Sequence, residues 1–183
     1  MPHLDIAQEH AADPLGFALS TVSPQIGPAA GSFVLAVYQH LRVPLRVAEA
    51  ARYRIALING CVVCQAFRAG DHLDAFIESS GGDAATSLVA RGGEKPPEEF
   101  YAAVTHWRDS DIFSERERLA IEYAERFAEN PRDLPYDPDF WGKVRAGFTD
   151  EELSDLTLAI GCWVAMGRFT HVLDLDGACV AGM

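Results

Sequence analysis

Cys61 and Cys64 stand three residues apart in Cys61-Val62-Val63-Cys64, directly after an Asn59-Gly60 pair. If a helix opens at the glycine, residues at i and i+3 share a face with their Cβ atoms about 5–6 Å apart, within reach of a disulfide after small adjustment. Backbone N–H groups at a helix start favour negative charge, so a thiol in the first turn ionises more readily, and thiolate is the reactive form. The chemistry this spacing suggests is reversible dithiol–disulfide cycling. Two other readings stay open. Free cysteine packs as a small hydrophobe, so the pair can be structural, or it can be half of a zinc site to which Cys162, Cys179 or His171 would add ligands. No second close-spaced pair completes such a site, and neither a metal nor another cofactor is expected.

The rest of the chain narrows the setting. Fifteen Lys+Arg against 27 Asp+Glu give a formal charge of -12 with no compensating basic stripe, which argues against nucleic acid or an anionic membrane as partner. Met1 to Gly16 lacks the basic and apolar regions of a signal peptide, and the longest apolar stretch, Leu156 to Met166, is too short to span a bilayer. A cytoplasmic protein is the simplest reading. In that compartment four cysteines do not form a structural disulfide framework, which leaves catalysis or metal binding for the close pair.

The elements that must position the thiols read as helices. Ala29 to Leu41 carries Phe33, Val34, Val37, Tyr38 and Leu41 at spacings of three and four, and Val47 to Ile58 is Ala-rich with Tyr53, Leu57 and Ile58 on one side. Asn59-Gly60 breaks the second helix, and Cys61 to Ile77 is expected to resume as one helix ending before Ser79-Ser80-Gly81-Gly82. The thiols then lie at the bend of a helical hairpin. Ser114 with Glu117 and Thr149 with Glu152 fit the capping box, and open apolar-periodic runs over Glu115 to Phe127 and Glu151 to Arg168. Pro131 to Pro138 reads as a connection, and no stretch alternates as a strand would. The expectation is an all-α chain: an N-terminal arm over residues 1–27, one helical domain over 28–176 and a tail over 177–183.

The run Arg46-Val47-Ala48-Glu49 … Ile58-Asn59-Gly60-Cys61-Val62-Val63-Cys64-Gln65-Ala66-Phe67 resembles the core of the alkylhydroperoxidase D-like, carboxymuconolactone decarboxylase superfamily. In thiol-active members a Glu precedes the first Cys by twelve residues and the pair follows Asn-Gly, as Glu49, Asn59, Gly60, Cys61 and Cys64 do here. Phe113 to Ala120 and Phe148 to Leu153 resemble later helices of the same family, so the likeness covers most of residues 30–176. It implies an all-helical fold, assembly into a homo-oligomer and peroxide reduction through the Cys pair.

This chain departs from the family at one position. The family motif places a histidine four residues after the second Cys, where this chain has Arg68. Arginine stays charged and cannot relay protons near neutral pH, although at i+4 on a continuous helix it would stabilise a Cys64 thiolate. His72 is the nearest replacement, but eight helical residues place it about 12 Å from Cys64 along the axis. A hairpin folded at Gly60 brings Glu49 level with the returning helix, within reach of either Arg68 or His72, and a Glu49–Arg68 pair would fix the guanidinium beside Cys64.

The leading expectation is therefore a thiol-dependent hydroperoxide reductase. Cys64 would attack the hydroperoxide, Cys61 would resolve the sulfenic acid, Glu49 with Arg68 or His72 would tune the site, and an external protein or lipoyl-type dithiol would restore the pair. A carboxymuconolactone-type decarboxylase and a noncatalytic helical oligomer are the alternatives.

Overall fold

The computed structural model describes residues 2–176, all of whose regular elements are helical. A short helix α1 (Pro14–Phe17) runs into a single π turn over Ala18–Val22. It is followed by α2 (Gly27–His40), α3 (Leu45–Asn59), α4 (Val62–Ala66), α5 (Ala69–Ser79) and α6 (Glu98–Ala103). After a 3₁₀ stretch over Val104–Asp109 come α7 (Glu115–Glu129), α8 (Pro138–Gly147) and α9 (Asp150–Val172). The expected tail over 177–183, with Cys179, lies outside the described residues.

Helix α3 is the axis of the molecule, packed chiefly against α7 and α9. Its alanines explain why it can be enclosed: Ala48, Ala50, Ala51 and Ala56 are all buried and let neighbouring helices approach from more than one side. Ala48, Ala51 and Ile55 join the main core with Ala120 and Ala124 of α7 and Leu156 and Ile160 of α9. Ala50 faces a second, aromatic-rich core made by Phe100, Tyr101, Trp107 and Phe113, with Tyr53 and Leu57 packed against it.

Both expected capping boxes form. Ser114 with Glu117 opens α7 and Thr149 with Glu152 opens α9, each pair satisfying side chain and backbone donors reciprocally. Pro138, read as part of a connection, instead sits in the first turn of α8. There its missing N–H is harmless, and the Asp137 carboxylate accepts from the Phe140 N–H at 2.9 Å.

The hairpin turns where expected. Gly60 ends α3 with φ at +69°, a conformation that favours glycine. Asn59, just before it, donates to the Trp163 carbonyl of α9 at 3.0 Å, an approach that a Cβ on Gly167 would block. The returning arm differs from expectation. The single helix expected from Cys61 to Ile77 breaks at Phe67 and Arg68, both extended, so α4 is only five residues long and Arg68 is the N-cap of α5. The break is possible without a glycine because two guanidiniums take the carbonyls that the end of α4 leaves unpaired. Arg52 donates to the Cys64 and Phe67 carbonyls at 2.6 and 2.9 Å, and Arg68 donates to those of Gln65 and Phe67.

Candidate active site

Cys61 and Cys64 are joined in a disulfide with their Cα atoms 5.3 Å apart. Cys61 is the N-cap of α4, and its sulfur accepts the Cys64 N–H at 3.3 Å. The two sulfurs are not equally accessible. Cys61 is fully buried, whereas Cys64 is partly exposed and lines a cavity of about 290 Å³.

The cavity wall is almost wholly apolar. Leu15 and Leu19 from the N-terminal segment, Val34 from α2, Phe67, Phe76 from α5 and Met166 from α9 meet around it. The expected N-terminal arm is thus part of the cavity wall. Cys162 also lines the cavity, and its burial pushes the thiol up to about 11, which leaves it protonated near neutrality. The phenol of Tyr38, another wall residue, is raised by burial and stays neutral.

Beneath α4 lies a buried charge pair that the sequence reading did not assemble. Both Glu49 oxygens accept from Arg52, one turn further along α3, and both side chains are almost fully buried. Glu49 also accepts the Tyr101 hydroxyl at 2.7 Å and the Ala69 N–H at 3.1 Å, the first amide of α5. Burial alone would lower the Arg52 pKa, but the adjacent carboxylate more than offsets this and the guanidinium is held above its ordinary value. Burial, then Glu49, raise the Tyr101 phenol, so it remains a donor. The network ties α3 to the end of α4 and the start of α5.

The expected pairing of Glu49 with Arg68 does not form. Once α4 ends at Ala66, Arg68 leaves the helix that carries Cys64 and turns to Glu98, with 2.8 and 3.0 Å hydrogen bonds. Its guanidinium stacks 4.0 Å from the Tyr101 ring centre. His72 packs beside Phe67, and its Nδ1 accepts the Arg68 backbone N–H at 3.0 Å, which serves the start of α5. Arg52 was legible in principle, as a basic residue three after Glu49 on an otherwise Ala-rich buried helix.

At the other end of α4, the chain beyond α9 folds back. Asp176 is buried, accepts the Val62 N–H at 2.9 Å and lies 3.4 Å from His171 Nδ1. His171, weighed in the sequence as a zinc ligand, here faces a carboxylate instead. Among the described residues no group of three or more His, Cys, Asp or Glu side chains is placed to hold a metal ion. No described helix is long and apolar enough to cross a membrane.

Comparison with known proteins places the fold. No family model matches the chain. The uncharacterized protein YnjA of Escherichia coli (strain K12) is 37% identical over 79 residues, a span of 42% of this chain and 42% of YnjA, so less than half of that relative is matched. A crystal structure from Agrobacterium tumefaciens, of a protein of unknown function named for a suspected AhpD antioxidant-defence role, superimposes with a TM-score of 0.59 at 23% identity. That match covers 85% of this chain and 92% of the other. The likeness is one of fold: the chain has an AhpD-like all-helical architecture.

Proposed function

We propose that the chain is a thiol-dependent hydroperoxide reductase in which Cys64 attacks and Cys61 resolves. The observation that carries this reading is the unequal pair itself: a disulfide with one sulfur sealed in the core and the other on the wall of an apolar cavity. In the reduced protein the Cys64 thiolate attacks the terminal peroxide oxygen and breaks the O–O bond. The alkoxide leaves as alcohol after taking a proton, and Cys64 becomes a sulfenic acid. The Cys61 thiol attacks that sulfur, expelling water and forming the disulfide. An external dithiol, on a protein or a lipoyl-type carrier, returns two electrons by exchange at the accessible Cys64 sulfur, with Cys61 as leaving group.

Glu49 and Arg52 act here as positioning residues, since the backbone groups they bond, the Cys64 and Phe67 carbonyls and the Ala69 N–H, hold the end of α4 and the start of α5 in place. The lactone carboxylate of the decarboxylase reading needs an available cation. The guanidinium on the cavity wall, Arg52, is already engaged by Glu49 and two carbonyls, which favours the peroxidase. The reading carries the family-like homo-oligomer with it. Its test is steady-state hydroperoxide consumption with a dithiol donor. Cys64→Ser and Cys61→Ser should each abolish turnover, and undiminished consumption in both would overturn the proposal.

A further inference from the structure

The polar groups in the cavity wall divide into those already bonded and those left over. Arg52 is taken by Glu49 and two carbonyls, and Asn59 donates to the Trp163 carbonyl and accepts from Arg168. The Thr170 hydroxyl donates to the Met166 carbonyl at 2.9 Å. Cys162 offers only the weak donor of a thiol. What remains is Tyr38 with Trp163. Tyr38 is only 7% exposed, yet among the described residues nothing accepts its O–H. The Trp163 indole N–H is also buried without a bonding partner. It acts on the phenol as a nearby donor, and because an indole N–H can only donate, it leaves the phenol's own proton free. Buried hydroxyls without an acceptor are costly and uncommon, so this one calls for an explanation.

Packing fixes where the phenol stands. Its ring centre lies 5.9 Å from those of Phe67 and Phe76 and 6.5 Å from that of Trp163. Phe67 directly follows α4, the helix that carries Cys64. The cavity thus combines one reactive sulfur, one rigidly held neutral donor and an apolar wall. Such a pocket selects a ligand with an apolar body and a single acceptor oxygen.

We propose that the Tyr38 hydroxyl receives the inner oxygen of an organic hydroperoxide whose apolar body fills the cavity, and stabilises that oxygen as it leaves. The inference rests on the peroxide reduction proposed above, to which it adds the substrate class and a further catalytic residue. As the Cys64 sulfur bonds the terminal oxygen, the O–O bond breaks and its electron pair stays on the inner oxygen. The Tyr38 O–H bonds to that oxygen as charge develops, the Trp163 N–H steadies the phenol oxygen behind it, and solvent supplies the proton that completes the alcohol. A donor fixed beforehand in an apolar wall needs no reorganisation when the charge appears.

The test is Tyr38→Phe, which keeps the packed ring and removes only a hydroxyl whose proton has no acceptor in the described fold. Binding to the oxidised protein needs no turnover, so cumyl alcohol and its hydroxyl-free isostere tert-butylbenzene are titrated by calorimetry. The variant should bind the alcohol about fivefold to tenfold more weakly, the scale of one hydrogen bond, and the hydrocarbon within about twofold of the parent. Oxidation of the reduced variant by cumene hydroperoxide in stopped flow should slow roughly a hundredfold, the scale of one lost donor to a developing oxyanion. Alkylation of Cys64 by iodoacetamide, whose leaving group is iodide, should keep the parental rate. Equal alcohol affinity in both proteins, or peroxide and iodoacetamide rates that fall together, would overturn the inference while leaving peroxide reduction in place. A parent that leaves cumene hydroperoxide unconsumed would overturn the inference together with the reading it rests on.

Discussion

Each end of α4 is held by a buried carboxylate and its basic neighbour, and the two arrangements differ in one respect. Glu49 and Arg52, at the C-terminal end, are both sealed from water and share their hydrogen bonds with Tyr101, Ala69 and two carbonyls. Asp176, at the N-terminal end, is buried as well, but its partner His171 stands half in solvent. A buried pair with every group engaged is a clamp: neither charge can change without leaving the other stranded in a medium that penalises it. A pair with one member in water lacks that mutual enclosure, since solvent serves the exposed ring. The short helix that carries the reactive sulfur is thus held by a sealed network at one end and by a half-exposed pair at the other.

The largest expected effect comes from breaking the clamp. Arg52→Ala removes the counter-charge of the buried Glu49 carboxylate and the side-chain donor to the Cys64 carbonyl, a loss of about 3–5 kcal/mol on the scale of buried pairs cut at one partner. Chemical denaturation should show a midpoint far below that of the parent, and a near-parental midpoint would mean that the network is not a clamp.

The next effect sharpens the role of the cavity. A Cβ built on Gly31 of α2, which lines the cavity, meets no heavy atom within 4 Å, so Gly31→Leu can grow into empty space and also gains helix propensity. It should lower kcat/KM for a bulky aralkyl hydroperoxide by roughly tenfold or more while leaving hydrogen peroxide within about twofold, since apolar pockets discriminate at 1–3 kcal/mol per group. Equal losses for both peroxides would place the substrate elsewhere.

Arg68 should give the smallest effect. Its hydrogen bond to Glu98 holds that carboxyl below its ordinary range, but Glu98 is largely exposed, so the pair contributes at most about 1 kcal/mol. Because the folded carboxyl is depressed, this contribution is present above the usual carboxylate range and is lost as pH falls through the folded value. Denaturation of Arg68→Ala against pH should show a deficit near neutrality that narrows in acid by the share of the Glu98 pair, while the loss of the Gln65 and Phe67 carbonyl bonds persists. Its Cys64 alkylation profile should match that of the parent, because the charge removed was already paired.

How much of this was legible in the sequence differs from place to place along the chain. The all-helical architecture, the bend at Gly60 and the starts of α7 and α9 rest on local chemistry: a glycine in the left-handed region and two reciprocal caps. The end of α4 rests on Arg52, which reaches its carbonyls from another helix, so no local breaker announces it. With that break hidden, Arg68 and His72 read as residues on the same helix as Cys64, and the partners of Glu49 came out wrong. Helix α8 was concealed by Pro138, which starts it rather than interrupting it. His171 has no motif spacing because its partner arrives through a chain reversal beyond α9.

The central claim, attack by the accessible sulfur and resolution by the buried one, is tested most directly by a single turnover. Fully reduced protein mixed with one equivalent of aralkyl hydroperoxide should lose two hydrogens, localised to the peptide spanning Cys61 and Cys64, with Cys162 unmodified. The Cys61→Ser variant should instead gain one oxygen on Cys64, trapped as a sulfenic acid adduct. An oxygen appearing on Cys61 in Cys64→Ser while Cys61→Ser stays inert would reverse the assignment, and thiols untouched by the hydroperoxide in the parent would contradict the account.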